Sequence, residues 1–126
     1  MEIIEHSGLD VIIDDVIYMP SLEAPADKPH PFVYFITIKN NSDKAVKICG
    51  RKWVITLLNG NKTIVEGDGV VGQFPKISSG ENFSYNSYHV VDSDCVVDGS
   101  FFGETDLGVP VFTRIPSFEL NVPKWA

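Results

Sequence analysis

Apolar and polar residues alternate with a period of two along most of this chain, and no stretch sustains the 3.6-residue period of an amphipathic helix. Residues 9–19 (LDVIIDDVIYM) are rich in Val, Ile and Tyr and read as a strand. The segment 25–31 (PADKPHP) reads as a loop, because its three prolines remove backbone donors and fix φ. Residues 32–40 (FVYFITIKN) place Phe32, Tyr34, Ile36 and Ile38 on one face. The other face carries Val33, Phe35, Thr37 and Lys39 and becomes polar only towards its end. That pattern predicts a central strand whose first half is covered on both sides. Residues 52–66 read as a hairpin in which Trp53, Ile55 and Leu57 share a face and Asn59-Gly60 makes the turn, both turn residues taking positive φ. Further strands are expected at 82–91, with Phe83 and Tyr85 on one face, at 96–102 and at 109–120.

About seven short strands without a helix predict an all-β sandwich rather than a barrel. The length of 126 residues fits one domain, residues 1–126, with its core over about 9–120 and a tail at 121–126. Trp125 in that tail has two open readings, free or docked on the sandwich.

Charge and targeting signals narrow the function classes. The net charge of −7 speaks against binding nucleic acid, which favours a surplus of Lys and Arg. The local cluster Lys44, Lys47, Arg51 and Lys52 reads as a solvated strand edge. No apolar run reaches the roughly 18 residues that span a bilayer. Met1-Glu2-Ile3-Ile4-Glu5 lacks the basic and apolar stretches of a secretion signal, so a cytoplasmic location is expected. Cys49 and Cys95 form no CxxC motif, and in that compartment they are expected to be reduced.

One motif suggests chemistry. Gly67-x-Gly69-x-x-Gly72 has the spacing of a dinucleotide-binding fingerprint. That fingerprint needs a helix directly after the glycines, whose N-terminus receives the pyrophosphate. Here Pro75 and Gly80 leave no room for one, and no alternating β-α pattern exists, so a Rossmann fold is excluded. Two readings of the glycines stay open. They let the chain turn or bulge beside a strand, or their N–H groups form a small anion-binding concavity. Glu66 and Asp68 beside the loop oppose the second reading by repelling a phosphate.

Other chemistry finds less support. GxSxG, HExxH and Walker motifs are absent, and no catalytic residue is assigned. The segment 92–100 (DSDCVVDGS) fails as an EF-hand loop, since Val96 falls where the third oxygen ligand is required. No metal site and no cofactor are expected. The nearest approach to a ligand set is His89, Asp92 and Asp94, with Cys95, and it requires those residues to converge.

Several patterns in fixed order resemble the ApaG family over about residues 9–120. They are Phe32-x-Tyr34-x-Ile36-Thr37-Ile38-x-Asn40, Arg51-x-Trp53-x-Ile55, Gly67-x-Gly69-Val70-Val71-Gly72 leading to Pro75, Gly80-Glu81-x-Phe83-x-Tyr85-x-Ser87, Gly99, and Ile115-Pro116-x-Phe118-x-Leu120. The resemblance implies an immunoglobulin-like, fibronectin type III-like sandwich. It also implies an association with cobalt resistance and magnesium efflux in bacterial members, and a protein-interaction role where eukaryotic proteins carry the domain. Departures are Ser79 in place of a proline, Val97 and Phe101 in place of a methionine and a tyrosine, and Phe74 in place of a glutamine.

The resulting expectation is a non-enzymatic module for an unidentified protein partner, using loop 67–75 with Phe74, or an exposed sheet edge that adds a partner strand. With no spanning segment, the chain is not itself a channel, so a metal-efflux association would be indirect. The alternative is a binder or hydrolase of a phosphorylated small molecule such as pyrophosphate or a nucleotide. In it Gly67, Gly69 and Gly72 supply N–H groups and Arg51 or Lys76 the positive charge. A third reading, direct sensing of Co²⁺ or Mg²⁺, draws on His89, Asp92, Asp94 or Cys95.

Overall fold

The computed structural model describes residues 2–126. Its strands are β1 (Ile4–Glu5), β2 (Leu9–Tyr18), β3 (His30–Asn40), β4 (Val46–Leu57), β5 (Lys62–Asp68), β6 (Lys76–Ile77), β7 (Asn82–Val91), β8 (Cys95–Thr105) and β9 (Pro110–Leu120). One sheet has the order β1-β9-β8-β4-β5, with β6 also paired to β4, and the other is β2-β3-β7. The described residues contain no helix, and so none long and apolar enough to cross a membrane. The architecture is the expected all-β sandwich.

The core forms where the period-two alternation of both sheets turns inward. Phe32, Tyr34, Ile36 and Ile38 of β3 are buried against Ile48, Trp53 and Ile55 of β4 and Val97 and Phe101 of β8. Full burial of an isoleucine such as Ile36 or Ile38 contributes about 2–3 kcal/mol. Tyr34 and Trp53 meet at 5.0 Å between ring centroids, which ties the two sheets at their middle.

The strands differ from the expectation at several places; β3 already begins at His30, within the expected loop, and β8 runs on to Thr105. β1 and β6 are two-residue strands, too short to leave a periodic signal. β4 begins at Val46 rather than at residue 52, because Val46 and Ile48 already alternate inward, and a bulge between Ile48 and Gly50 conceals the continuity. The hairpin after β4 turns through Leu58-Asn59-Gly60, with the amide of Leu57 donating to the Asn61 carbonyl at 2.8 Å. Gly60 takes φ +89° while Asn59 keeps negative φ, and the Asn59 side chain accepts from the Asn61 amide at 2.9 Å. This is the three-residue alternative to the two-residue Asn-Gly turn. Lastly, β3 is central, but among the described residues no further layer packs over its outer face, and Val33 and Phe35 remain half-buried there.

Candidate functional site

β5 and β6 both pair with the same edge of β4, β5 over Gly50 to Thr56 and β6 at Val46 and Lys47. They are two pieces of one edge strand, and the glycine loop is the excursion between them. The Gly69 amide donates to the Cys49 carbonyl at 2.8 Å on leaving the sheet, and the Ile48 amide donates to the Pro75 carbonyl at 2.9 Å on return. Fully buried Val70 anchors the loop in the core. Val70 and Gln73 exchange both backbone hydrogen bonds, at 2.8 and 2.9 Å, around a turn whose central residues Val71 and Gly72 have φ of 45° and 78°. Two successive positive φ values are the signature of a type I′ turn. Gly69 also has positive φ, and a Cβ there would fall on the Gln73 carbonyl oxygen.

Arg51 locks the base of this loop. Its Nη1 donates to the carbonyls of Asp68 at 2.8 Å and Gly69 at 3.1 Å. The guanidinium lies over Gly67 so closely that a Cβ there would stand 2.6 Å from Nη1. Arg51 is therefore not part of a solvated strand edge. Lys76, the other cation considered for this loop, sits exposed in β6 opposite Lys47.

The loop displays apolar side chains. Phe74 is 53% exposed, with the Lys47 ammonium 5.9 Å from its ring centroid, and Val71 at the tip is 47% exposed. Asn40 holds the return leg: buried completely, it donates to the carbonyls of Lys44 at 2.7 Å and Ile77 at 2.8 Å and accepts from the amide and hydroxyl of Ser42.

The residues considered as metal ligands do not converge, and no group of three His, Cys, Asp or Glu among the described residues is placed to hold a metal ion. His89 points inward, stacked on Tyr34 at 4.8 Å and edge-on to Trp53 at 4.9 Å. Burial pushes its pKa down to about 4, and its Nε2 finds no hydrogen-bond partner. Asp94 accepts the Val122 amide at 2.6 Å, and Asp92 accepts the Ser93 hydroxyl at 3.2 Å. Burial and the nearby Asp94 and Asp92 carboxylates raise the Cys95 thiol to about 11, away from the thiolate a metal would need. Beyond Asp94, the tail continues to Trp125, whose ring stands edge-on to Tyr18 at 5.8 Å while remaining largely exposed.

A further surface was not anticipated from the sequence. The uncovered face of β2-β3-β7 holds a shallow depression of about 790 Å³ whose lining includes Asp14, Asp15, Ile17, Phe35, Asn86 and, from the glycine loop, Val71. A bulge between Ile13 and Asp15 makes it. Ile13 and Val16 both turn towards the core, so Asp14 and Asp15 between them are both left exposed. The doublets Ile12-Ile13 and Asp14-Asp15, which break the alternation, are its signal in the sequence.

Comparison with known proteins places these features in a family. The model described as "ApaG domain" matches residues 20–104. The chain is 37% identical over 107 residues to "Protein ApaG" of Vibrio vulnificus, covering 84% of this chain and 85% of that protein. It is 35% identical over 108 residues to "Protein ApaG" of Escherichia coli, covering 85% and 86%. Among solved structures, a structural-genomics crystal structure superposes with TM-score 0.82 at 29% identity, over 95% of this chain and 91% of the other. A Bordetella pertussis protein named as a candidate ApaA superposes with TM-score 0.78 at 26% identity, over 98% and 99%.

Proposed function

Because the chain belongs to the ApaG-domain family, we propose that it acts as a non-enzymatic binding module whose contact surface is the loop 67–75. The observation that carries this reading is the loop's construction. Val71 is β-branched and is held at φ 45°, where a residue with a Cβ costs roughly 1–2 kcal/mol more than in its preferred conformation. Both Val71 and Phe74 nevertheless face solvent. A rigid turn that displays two apolar side chains is suited to a protein partner, since exposed aromatic anchors supply much of the binding energy at interfaces. Its rigidity lowers the ordering cost of association.

The alternative, a phosphorylated ligand held by the same loop, needs outward N–H groups and a free cation. The amides of Gly69, Val70 and Gln73 already donate to carbonyls within the protein, and Arg51 is engaged with the loop's own carbonyls, which leaves only the exposed Lys76 of the two cations considered. The family association with cobalt and magnesium then runs through the partner rather than through a metal held by this chain.

Photo-crosslinking in cells tests this. Benzoylphenylalanine at position 74 should give a discrete adduct that the same probe at exposed Leu107 does not give. Identical adducts at both positions, or none at 74, would overturn the reading. Saturable amide shifts confined to residues 67–72 on adding pyrophosphate or a dinucleotide would transfer the loop to the anion reading.

A further inference from the structure

The depression on the outer face of β2-β3-β7 lies beside the glycine loop and shares Val71 with it. Register places Ile17, Val33 and Tyr88 abreast across the three strands, with Asp15, Phe35 and Asn86 in the next outward row and Ile12, Thr37 and Ser84 in the one after. Ile12, Ile17, Tyr88 and Val71 are each more than one-third exposed, so this face presents an apolar floor to solvent. Asp14 and Asp15 stand on it without a cationic partner, for the ion pairs among the described residues are Lys52–Glu66 and Arg114–Glu5. The two carboxylates are also held in place: the Thr37 hydroxyl donates to Asp14 Oδ2 at 2.6 Å, and the Val16 amide donates to Asp15 Oδ1 at 2.8 Å.

We infer that this face docks a basic, aliphatic segment of a partner protein, with a Lys or Arg of the partner against Asp14 and Asp15 and its apolar neighbours between Ile17, Phe35 and Val71. Charge decides the occupant. Nucleic acid and anionic lipid would bring phosphates against two unpaired carboxylates. A second copy of this chain would bring another molecule of net charge −7. A cationic segment meets the carboxylates as charge-assisted partners and covers the apolar floor with its side-chain stems. The inference rests on the module reading above and gives it a partner chemistry: Val71 is the residue common to both surfaces, contacting the partner from one side while Phe74 does so from the other.

The test is an amide-shift titration of the whole chain with the peptide acetyl-Ile-Lys-Ile-Arg-Ile-Lys-amide and with its counterpart carrying Glu at the three basic positions. The basic peptide should give saturable shifts at Asp14, Asp15, Phe35, Asn86 and Val71, weakened by added salt, and the acidic one should leave those amides in place. Asp14→Asn with Asp15→Asn keeps both hydrogen-bond acceptors, so the fold stays intact while affinity falls about tenfold. Val71→Gly suits its positive φ and removes one wall of the depression, so it should weaken binding several-fold with the turn preserved. Equal response to both peptides, no saturable shift, or shifts at these residues that follow protein concentration alone would each overturn the proposal. The last would reveal a second copy as the occupant. Position-74 crosslinks that persist while the basic peptide stays silent would sink this inference and leave the loop reading standing.

Discussion

His89 makes the stability of this sandwich depend on pH. Its ring is buried against Tyr34 and Trp53, and that burial lowers its pKa from 6.5 to about 4. An unfolded chain takes up a proton at this imidazole below about pH 6.5, whereas the native protein refuses it until about pH 4. The unfolded state therefore binds more protons between those values, and stability rises with pH across the window. It is complete above about pH 6.5, falls as the pH drops, and levels off below about pH 4. From about pH 7.5 to about pH 5 the loss is about 2 kcal/mol, most of the roughly 3 kcal/mol that the whole shift represents. Urea unfolding followed by Trp53 fluorescence at a series of pH values measures it directly. His89→Phe keeps both aromatic contacts and removes the proton site together with the unpartnered Nε2. The variant should be at least as stable as the native protein at neutral pH and lose about 2 kcal/mol less on acidification to about pH 5. Parallel pH profiles for the two proteins would refute the assignment.

Three further substitutions test the loop and its supports. Gly69→Ala forces a side chain into positive φ and onto the Gln73 carbonyl, so thermal unfolding should show a loss of about 2 kcal/mol. Amide exchange at Val70 and Gln73 should accelerate with it. Arg51→Lys replaces a planar guanidinium, whose Nη1 donates to two carbonyls in a fixed geometry, with a shorter, flexible ammonium, and should cost about 1–2 kcal/mol with little dependence on salt. A loss that vanished at high salt would point instead to an ion pair. Asn40→Ala abandons four hydrogen bonds at a fully buried position, including the one to the buried Ile77 carbonyl, and should lower stability by about 3 kcal/mol in urea unfolding. A cost below about 1 kcal/mol would mean that water replaces the amide there.

Where burial follows from alternation alone, the sequence was sufficient. Phe32, Tyr34, Ile36 and Ile38 define the inner face of β3 because nothing interrupts their spacing. Alternation loses its meaning at a bulge, which changes its phase, and the irregularities in β2 and β4 lie where the pattern fails. In β4 the irregularity near Gly50 conceals the first half of the strand, whereas β2 is legible as a strand and only its exposed Asp14-Asp15 pair is not. The role of Arg51 lay further out of reach. It depends on the register that sets Arg51 opposite Gly67, and pairing between strands is not written in either strand alone. The glycines were legible as a motif but not as a mechanism. Gly67 admits the guanidinium, Gly69 admits the Gln73 carbonyl, and Gly72 completes a turn, three separate local requirements whose spacing coincides with a phosphate-binding fingerprint.

The split edge strand favours the loop, rather than the edge itself, as the contact surface of the proposed module. A long exposed edge is a template for strand addition, and β5 is exposed along nearly its whole length. Its run is short, however, and it carries Lys62, Glu66 and Asp68, charges that discourage another chain from pairing there. The excursion at 69–75 then interrupts the ladder before β6 resumes it, so a partner strand cannot extend continuously along this side. Both feet of the excursion hydrogen-bond to β4, its middle is anchored by buried Val70, and Arg51 ties its base. Fixed at these points, the tip has little freedom, so on the proposed reading a partner would meet Val71 and Phe74 without first ordering the loop. The device that ends strand pairing is thus the one that presents side chains, so a partner at this end of the sandwich would be read by side-chain rather than backbone chemistry.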